Sequence, residues 1–72
     1  MHPSDESSPR IRRSRFLRCQ DHEGREVTVG VGVTGDRRVV LIGPPDGVAV
    51  LTPAQRDEYQ AMLVEAVMDA SS

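Results

Sequence analysis

The fold class predicted for this chain is α+β: a small antiparallel sheet of three to four strands packed by one C-terminal helix. Three observations predict it. Valines occupy every second position from Val27 to Val33, the period of a strand with one buried face. A helix start is written at Thr52-Pro53-Ala54-Gln55, and neither Gly nor Pro occurs after it, so nothing there breaks a helix. Turn sequences separate the apolar runs at Asp21-His22-Glu23-Gly24, Thr34-Gly35-Asp36-Arg37 and Gly43 to Gly47, where Asp and Gly supply turn geometry.

Residues 1–14 read as a disordered, arginine-rich tail. Met1 to Ser8 holds Pro, Ser, Asp and Glu and no large apolar residue but the starting Met, so it has nothing to bury. A single domain is expected over residues 15–70. Arg15 to Gln20 alternates loosely and is expected as a short edge strand. Glu26 to Thr34 is the clearest strand. Its opposite face carries Thr28, Gly30, Gly32 and Thr34. Glycines weaken a strand unless another group approaches closely or the sheet bends there. Val39 to Ile42 and Val48 to Leu51 are expected as third and fourth strands. Unbroken apolar strands imply cover on both faces. One helix covers one face, so the other face asks for a partner.

At the helix start, Thr52 reads as the N-cap, Pro53 as N1 and Gln55 as N3, a capping box. The helix is expected to end near Met68 or Asp69. On a wheel of about 100° per residue, Tyr59, Met62, Leu63, Ala66, Val67 and Ala70 form the core-facing stripe. Ala54, Ala61, Val64 and Met68 fall on the far side, interrupted by Asp57. A solitary surface helix would carry charges there. Ala61, Val64 and Met68 are therefore the candidate partner-binding residues.

Seventy-two residues allow one domain. A core of that size is marginal alone and usually needs a disulfide, a metal or another subunit. Cys19 is the only cysteine, so no internal disulfide forms. With His2 and His22 far apart, the spaced ligand set of structural zinc is missing. Self-association or a partner protein remains. No apolar run reaches the length of a membrane span, and the N-terminus has no apolar signal region. The expectation is a cytoplasmic protein with no membrane partner. Lysine is absent, and the Ala, Val, Gly, Asp and Arg usage suggests a GC-rich, actinobacterial genome.

The net charge of −2 is uneven. Arg10, Arg12, Arg13, Arg15 and Arg18 crowd into nine residues, and the remaining four arginines face eleven acids, a net −7. A basic arm on an acidic body suits either an acidic partner protein or phosphates. The acidic body would repel a duplex, and one Phe with one Tyr makes no stacking platform for single strands. Protein docking, or a solubilising tail, therefore ranks ahead of nucleic acid.

No constellation points to catalysis. Asp21-His22-Glu23 sets a titratable ring between two acids, but general acid–base work needs a pocket and a nucleophile. A solvated turn is the simpler account. Cys19 lies beside Arg18, which can depress a thiol pKa, yet a free cysteine in a strand is usually a small buried apolar residue. Gly30-Val31-Gly32 lacks a third glycine opening a helix, and Gly43 to Gly47 lacks the Gly-Lys-Ser/Thr ending of a phosphate loop. No enzyme and no cofactor are expected.

From Val27 to Leu63 the order of features resembles a family of small actinobacterial proteins typified by the developmental regulator BldB. The shared order is an apolar strand Val27–Val33, a turn Gly35-Asp36, a strand Val39–Ile42, a Pro45-Asp46-Gly47 loop, a short strand Val48–Leu51 and the Thr52-Pro53-Ala54 helix start. The resemblance covers about half the chain. The tryptophan that the family carries soon after the cap is missing, and Leu41-Ile42-Gly43-Pro44 stands where an Arg-Asp-Ser-Lys stretch is expected. Many members accompany helix-turn-helix regulators, so the resemblance implies a regulatory accessory protein. The function expected is a non-catalytic protein-interaction module, a homodimer or a subunit on another protein, joined through the sheet edge or through Ala61, Val64 and Met68. A nucleic-acid-associated protein using the arginine arm, and an accessory subunit of a biosynthetic enzyme, are the alternatives.

Overall fold

The structure, a computed structural model, describes residues 10–71. Three antiparallel strands, β1 (Ile11–Gln20), β2 (Glu26–Thr34) and β3 (Val39–Ile42), form one sheet in the order β1-β2-β3. One helix, α1 (Pro53–Ser71), packs on it. The α+β class and the strand–helix order are those the sequence predicts.

Two differences concern the ends of the sheet. β1 begins at Ile11 rather than Arg15, so residues 11–14 belong to the sheet and not to the tail expected over residues 1–14. Residues 11–14 are strand, and the Arg10 carbonyl accepts the Gly35 N–H at 3.0 Å. Residues 1–9 lie outside the described residues. The fourth strand does not form. Val50 makes a single bridge to Gln20, donating its N–H to the Gln20 carbonyl at 2.7 Å. Pro44 and Pro45 lack N–H donors, and Val48 and Val50 stay exposed, so nothing drives further pairing there.

The two hairpins use one loop plan. In the first, Asp21 N–H donates to Arg25 C=O (2.8 Å) and Gly24 N–H to Asp21 C=O (3.0 Å). In the second, Thr34 N–H donates to Arg38 C=O (2.9 Å) and Arg37 N–H to Thr34 C=O (3.1 Å). Such three-residue loops need the left-handed region at the third position. Gly24 holds it in one (φ 83°), Arg37 in the other (φ 69°). The residue that precedes each loop reinforces it: Arg25 N–H donates to Asp21 Oδ1 (2.8 Å), and Arg38 N–H to Thr34 Oγ1 (3.0 Å). Asp21 and Thr34 are accordingly the buried polar side chains of the described residues.

The core is Leu17 and Cys19 from β1, Val29, Val31 and Val33 from β2, and Met62 and Ala66 from α1. Val27, Leu51, Tyr59, Leu63 and Ala70 pack against it. The period of two in β2 therefore does what the sequence predicts. Val67 departs from its stripe and stays half exposed. The capping box forms: Gln55 N–H donates to Thr52 Oγ1 (3.2 Å), and Thr52 N–H to Gln55 Oε1 (2.9 Å). Gln55 Nε2 also donates to the Arg18 carbonyl at 3.1 Å, which ties the cap to β1. The helix runs past the expected end to Ser71, whose hydroxyl donates to the Val67 carbonyl.

No core residue comes from β3. The helix thus lies mainly over β1 and β2, touches β3 less, and leaves Leu41 of β3 largely exposed on the helix side.

Candidate interaction surfaces

The five clustered arginines lie at or beside β1, and three of them hold the helix. Arg12 Nη2 is 3.3 Å and Arg13 Nη1 3.5 Å from Asp69, and Arg15 Nη1 is 2.9 Å from Glu65. Arg13 and Arg15 stand opposite Val33 and Val31, so they share the helix-side face, because directly paired residues point the same way. Glu65 and Asp69 are one helical turn apart and meet them. Exposed pairs of this kind contribute roughly 0.2–1 kcal/mol each, a modest bias of the edge of β1 toward α1. Arg18 stands opposite Thr28 on the other face. The basic arm of the sequence reading is thus partly a seam between strand and helix. The Glu65/Asp69 spacing was the signal in the sequence that could have found it.

The Asp21-His22-Glu23 turn is a structural hub. Asp21 is buried and accepts from the Glu23 N–H (2.9 Å), the Arg25 N–H (2.8 Å) and Arg25 Nε (2.8 Å). Burial alone would raise its carboxyl pKa. The two backbone donors and the Arg25 guanidinium outweigh that and hold it below the usual value. Arg25 also reaches Glu23 (2.9 Å) and Asp46 (3.7 Å), which pins the loop after β3. His22 and Glu23 are exposed, 4.0 Å apart. Cys19 is buried, and burial raises its thiol pKa, the opposite of what a nucleophile needs. Among the described residues no group of three or more His, Cys, Asp or Glu could hold a metal ion, and no helix is long and apolar enough to cross a membrane.

Three apolar surfaces remain. The first is the sheet face away from α1. There Gly30 and Gly32 of β2 are buried although they carry no side chain, because β1 reaches over them. A Cβ on Gly30 would sit 2.6 Å from Phe16 Cδ1, and one on Gly32 3.2 Å from Ile11 Cγ2. Phe16 pairs with Gly30 directly across the strands. An aromatic laid over a strand glycine restores the packing that the glycine lacks. The ring's outer surface stays open, with Phe16 56% and Ile11 51% exposed. Val40 and Ile42 stand opposite Gly32 and Gly30 and share this face.

The second surface is the helix side of β3. Leu41, paired with Val31, is 63% exposed, and Val39, paired with Val33, is also exposed. The third is the outer helix stripe. Ala61, Val64 and Met68 are all exposed, Met68 at 67%. They line a shallow depression with Asp57, Gln60 and Glu65. The sequence reading located the third surface and the open sheet face. The Phe16–Gly30 lid of the first surface and the exposed Leu41 on the helix side of β3 have no local signal in the sequence.

Compared with family models, curated proteins and solved structures, the chain matches none.

Proposed function

We propose that this chain is a non-catalytic protein-interaction module, a regulatory accessory protein that works as a homodimer or seated on a partner protein. One observation carries the reading. The described residues bury seven apolar side chains and leave nine large ones exposed: Ile11, Phe16, Val39, Leu41, Val48, Val50, Val64, Val67 and Met68. Single exposed apolar residues are ordinary. Six of them gather on three surfaces, Ile11 and Phe16 on the open sheet face, Val39 and Leu41 on the helix side of β3, and Val64 and Met68 on the outer helix stripe, and gathered patches mark association surfaces. A chain this short also gains most from the extra burial. The resemblance to BldB-like proteins supports the regulatory part of the proposal.

A nucleic-acid role for Arg10, Arg12, Arg13, Arg15 and Arg18 stands second. Arg12, Arg13 and Arg15 have carboxylate partners, so a phosphate would have to displace them. An accessory subunit of a biosynthetic enzyme would use the same surfaces as the first reading.

The test is the solution mass by light scattering after size exclusion, at about 50 mM and about 200 mM salt, with and without a DNA duplex. An assembly heavier than the 7.9 kDa chain at both salts supports the apolar reading. A monomer that joins the duplex only at low salt contradicts it.

A further inference from the structure

We infer that β3 pairs with β3 of a second copy, antiparallel about a two-fold axis through Val40, so that two three-stranded sheets become one of six. The inference rests on the interaction-module reading and names its surface and occupant.

In an antiparallel ladder, bonded and non-bonded pairs alternate. Thr34 N–H donates to Arg38 C=O, so Gly32·Val40 and Gly30·Ile42 are the next bonded pairs of that register. Val40 and Ile42 therefore turn their N–H and C=O groups toward β2. Val39 and Leu41 turn theirs outward, to the free edge. Natural edge strands are usually blunted by charges, proline or a bulge. Val39-Val40-Leu41-Ile42 contains none of them.

The side chains on that edge are complementary to themselves. With the axis at Val40, Val39 stands opposite Leu41 of the second copy, and Leu41 opposite its Val39. Each is a bonded pair, so the four outward N–H and C=O groups of each copy find partners. Leu41 and Val39 cover one another on the helix side, where Leu41 is 63% and Val39 36% exposed.

Charge selects this register. A one-residue slip would turn every side chain to the wrong face. An axis at Val39 would bring the two Arg38 residues within about 7 Å along the strands at about 3.4 Å per residue. An axis at Leu41 would ask Gly43, beside Pro44, to extend the strand. With the axis at Val40 the two Arg38 residues lie about 14 Å apart, beyond the Debye length of about 8 Å. Each also keeps its own counter-charge, Asp36, at 3.4 Å.

Cysteine cross-linking of the full chain tests the register. Val40 would face itself in a non-bonded pair, with Cα atoms about 4.5 Å apart, inside the range a disulfide spans. Positions 39 and 41 would each lie about 8 Å from their own copy, beyond that range. Under glutathione disulfide, Val40→Cys should give a covalent dimer about tenfold faster than Val39→Cys or Leu41→Cys. The unmodified chain, with buried Cys19, should give none. Leu41→Lys should remain folded and run as a monomer. Equal rates for the three cysteine variants, or a dimer that survives Leu41→Lys, overturns the pairing. If that surviving dimer falls apart on Val64→Asp plus Met68→Asp, the helix stripe is the self-interface and the module reading stands. A chain that stays monomeric at every concentration, with no cross-link, overturns both the pairing and the homodimer.

Discussion

Replacing Arg37 by glycine should stabilise this protein, although it removes a charged side chain and adds none. Arg37 holds φ at 69° as the third residue of the β2–β3 loop. The left-handed region costs a residue with a Cβ about 1–2 kcal/mol. Glycine avoids that cost but loses about 0.5–1 kcal/mol more backbone entropy on folding. The difference favours Arg37→Gly by about 0.5–1 kcal/mol. Arg37 is exposed and makes no ion pair among the described residues, so its side chain offsets nothing. At about 4–8 °C per kcal/mol for a domain of this size, Tm should rise by a few degrees. The β1–β2 loop is an internal control. It has the same hydrogen bonds with Gly24 at φ 83°, and a Cβ there would meet nothing within 4 Å. Gly24→Ala should therefore lower stability by about 1 kcal/mol through backbone conformation alone. Thermal unfolding by circular dichroism reads both. A Tm that falls in Arg37→Gly, or is unchanged in Gly24→Ala, would refute the shared-loop argument.

Three further outcomes follow from other parts of the fold. Gly30→Ala forces a methyl to within 2.6 Å of the Phe16 ring and should cost about 1–3 kcal/mol. Most of that cost should vanish in a Phe16→Ala background, and urea melts of the four chains measure the coupling. Met62, among the most buried large side chains, should cost about 2–5 kcal/mol on truncation to alanine. A core this small holds little more than that, so the variant should be mostly unfolded by circular dichroism. A cooperative melt close to the parent's would contradict the assigned core. Asp21 has a depressed carboxyl pKa, so its contribution is present above its unfolded value of 3.8 and lost as pH falls through the lower folded value. Asp21→Asn should flatten the acid limb of a Tm-against-pH curve, and an unchanged limb would remove Asp21 from the account.

Local signals carried the legible part of the fold. Val27, Val29, Val31 and Val33 declare a one-sided strand by spacing alone, and Thr52 with Gln55 declares a helix start by chemistry alone. Both appear as read. The errors arose where long-range contacts decide. Arg12 and Arg13 look like tail residues until Asp69, more than fifty residues later, supplies their counter-charge. Ile11 opposite Thr34, Arg13 opposite Val33 and Ser14 opposite Gly32 extend β1 by cross-strand pairing, which no window of the chain displays. Val48 to Leu51 has strand composition but only Gln20 to pair with. Val67 belongs to the core stripe by angle, yet the core draws nothing from β3 and Val67 stays half exposed. The stripe of Ala61, Val64 and Met68 was visible because a helix wheel is local. The exposure of Leu41 on β3 was not, since it depends on how far the helix reaches across the sheet.

The most direct test of association through exposed apolar surface is the concentration dependence of Tm. A chain stabilised by its own assembly gains stability by mass action. A hundredfold rise in concentration adds about 2.7 kcal/mol per dimer, a rise of about 5 °C or more at this size. That rise is the expected result, with little change between low and high salt. A Tm constant across the same hundredfold range would contradict the homodimer and leave the exposed surfaces to a different protein.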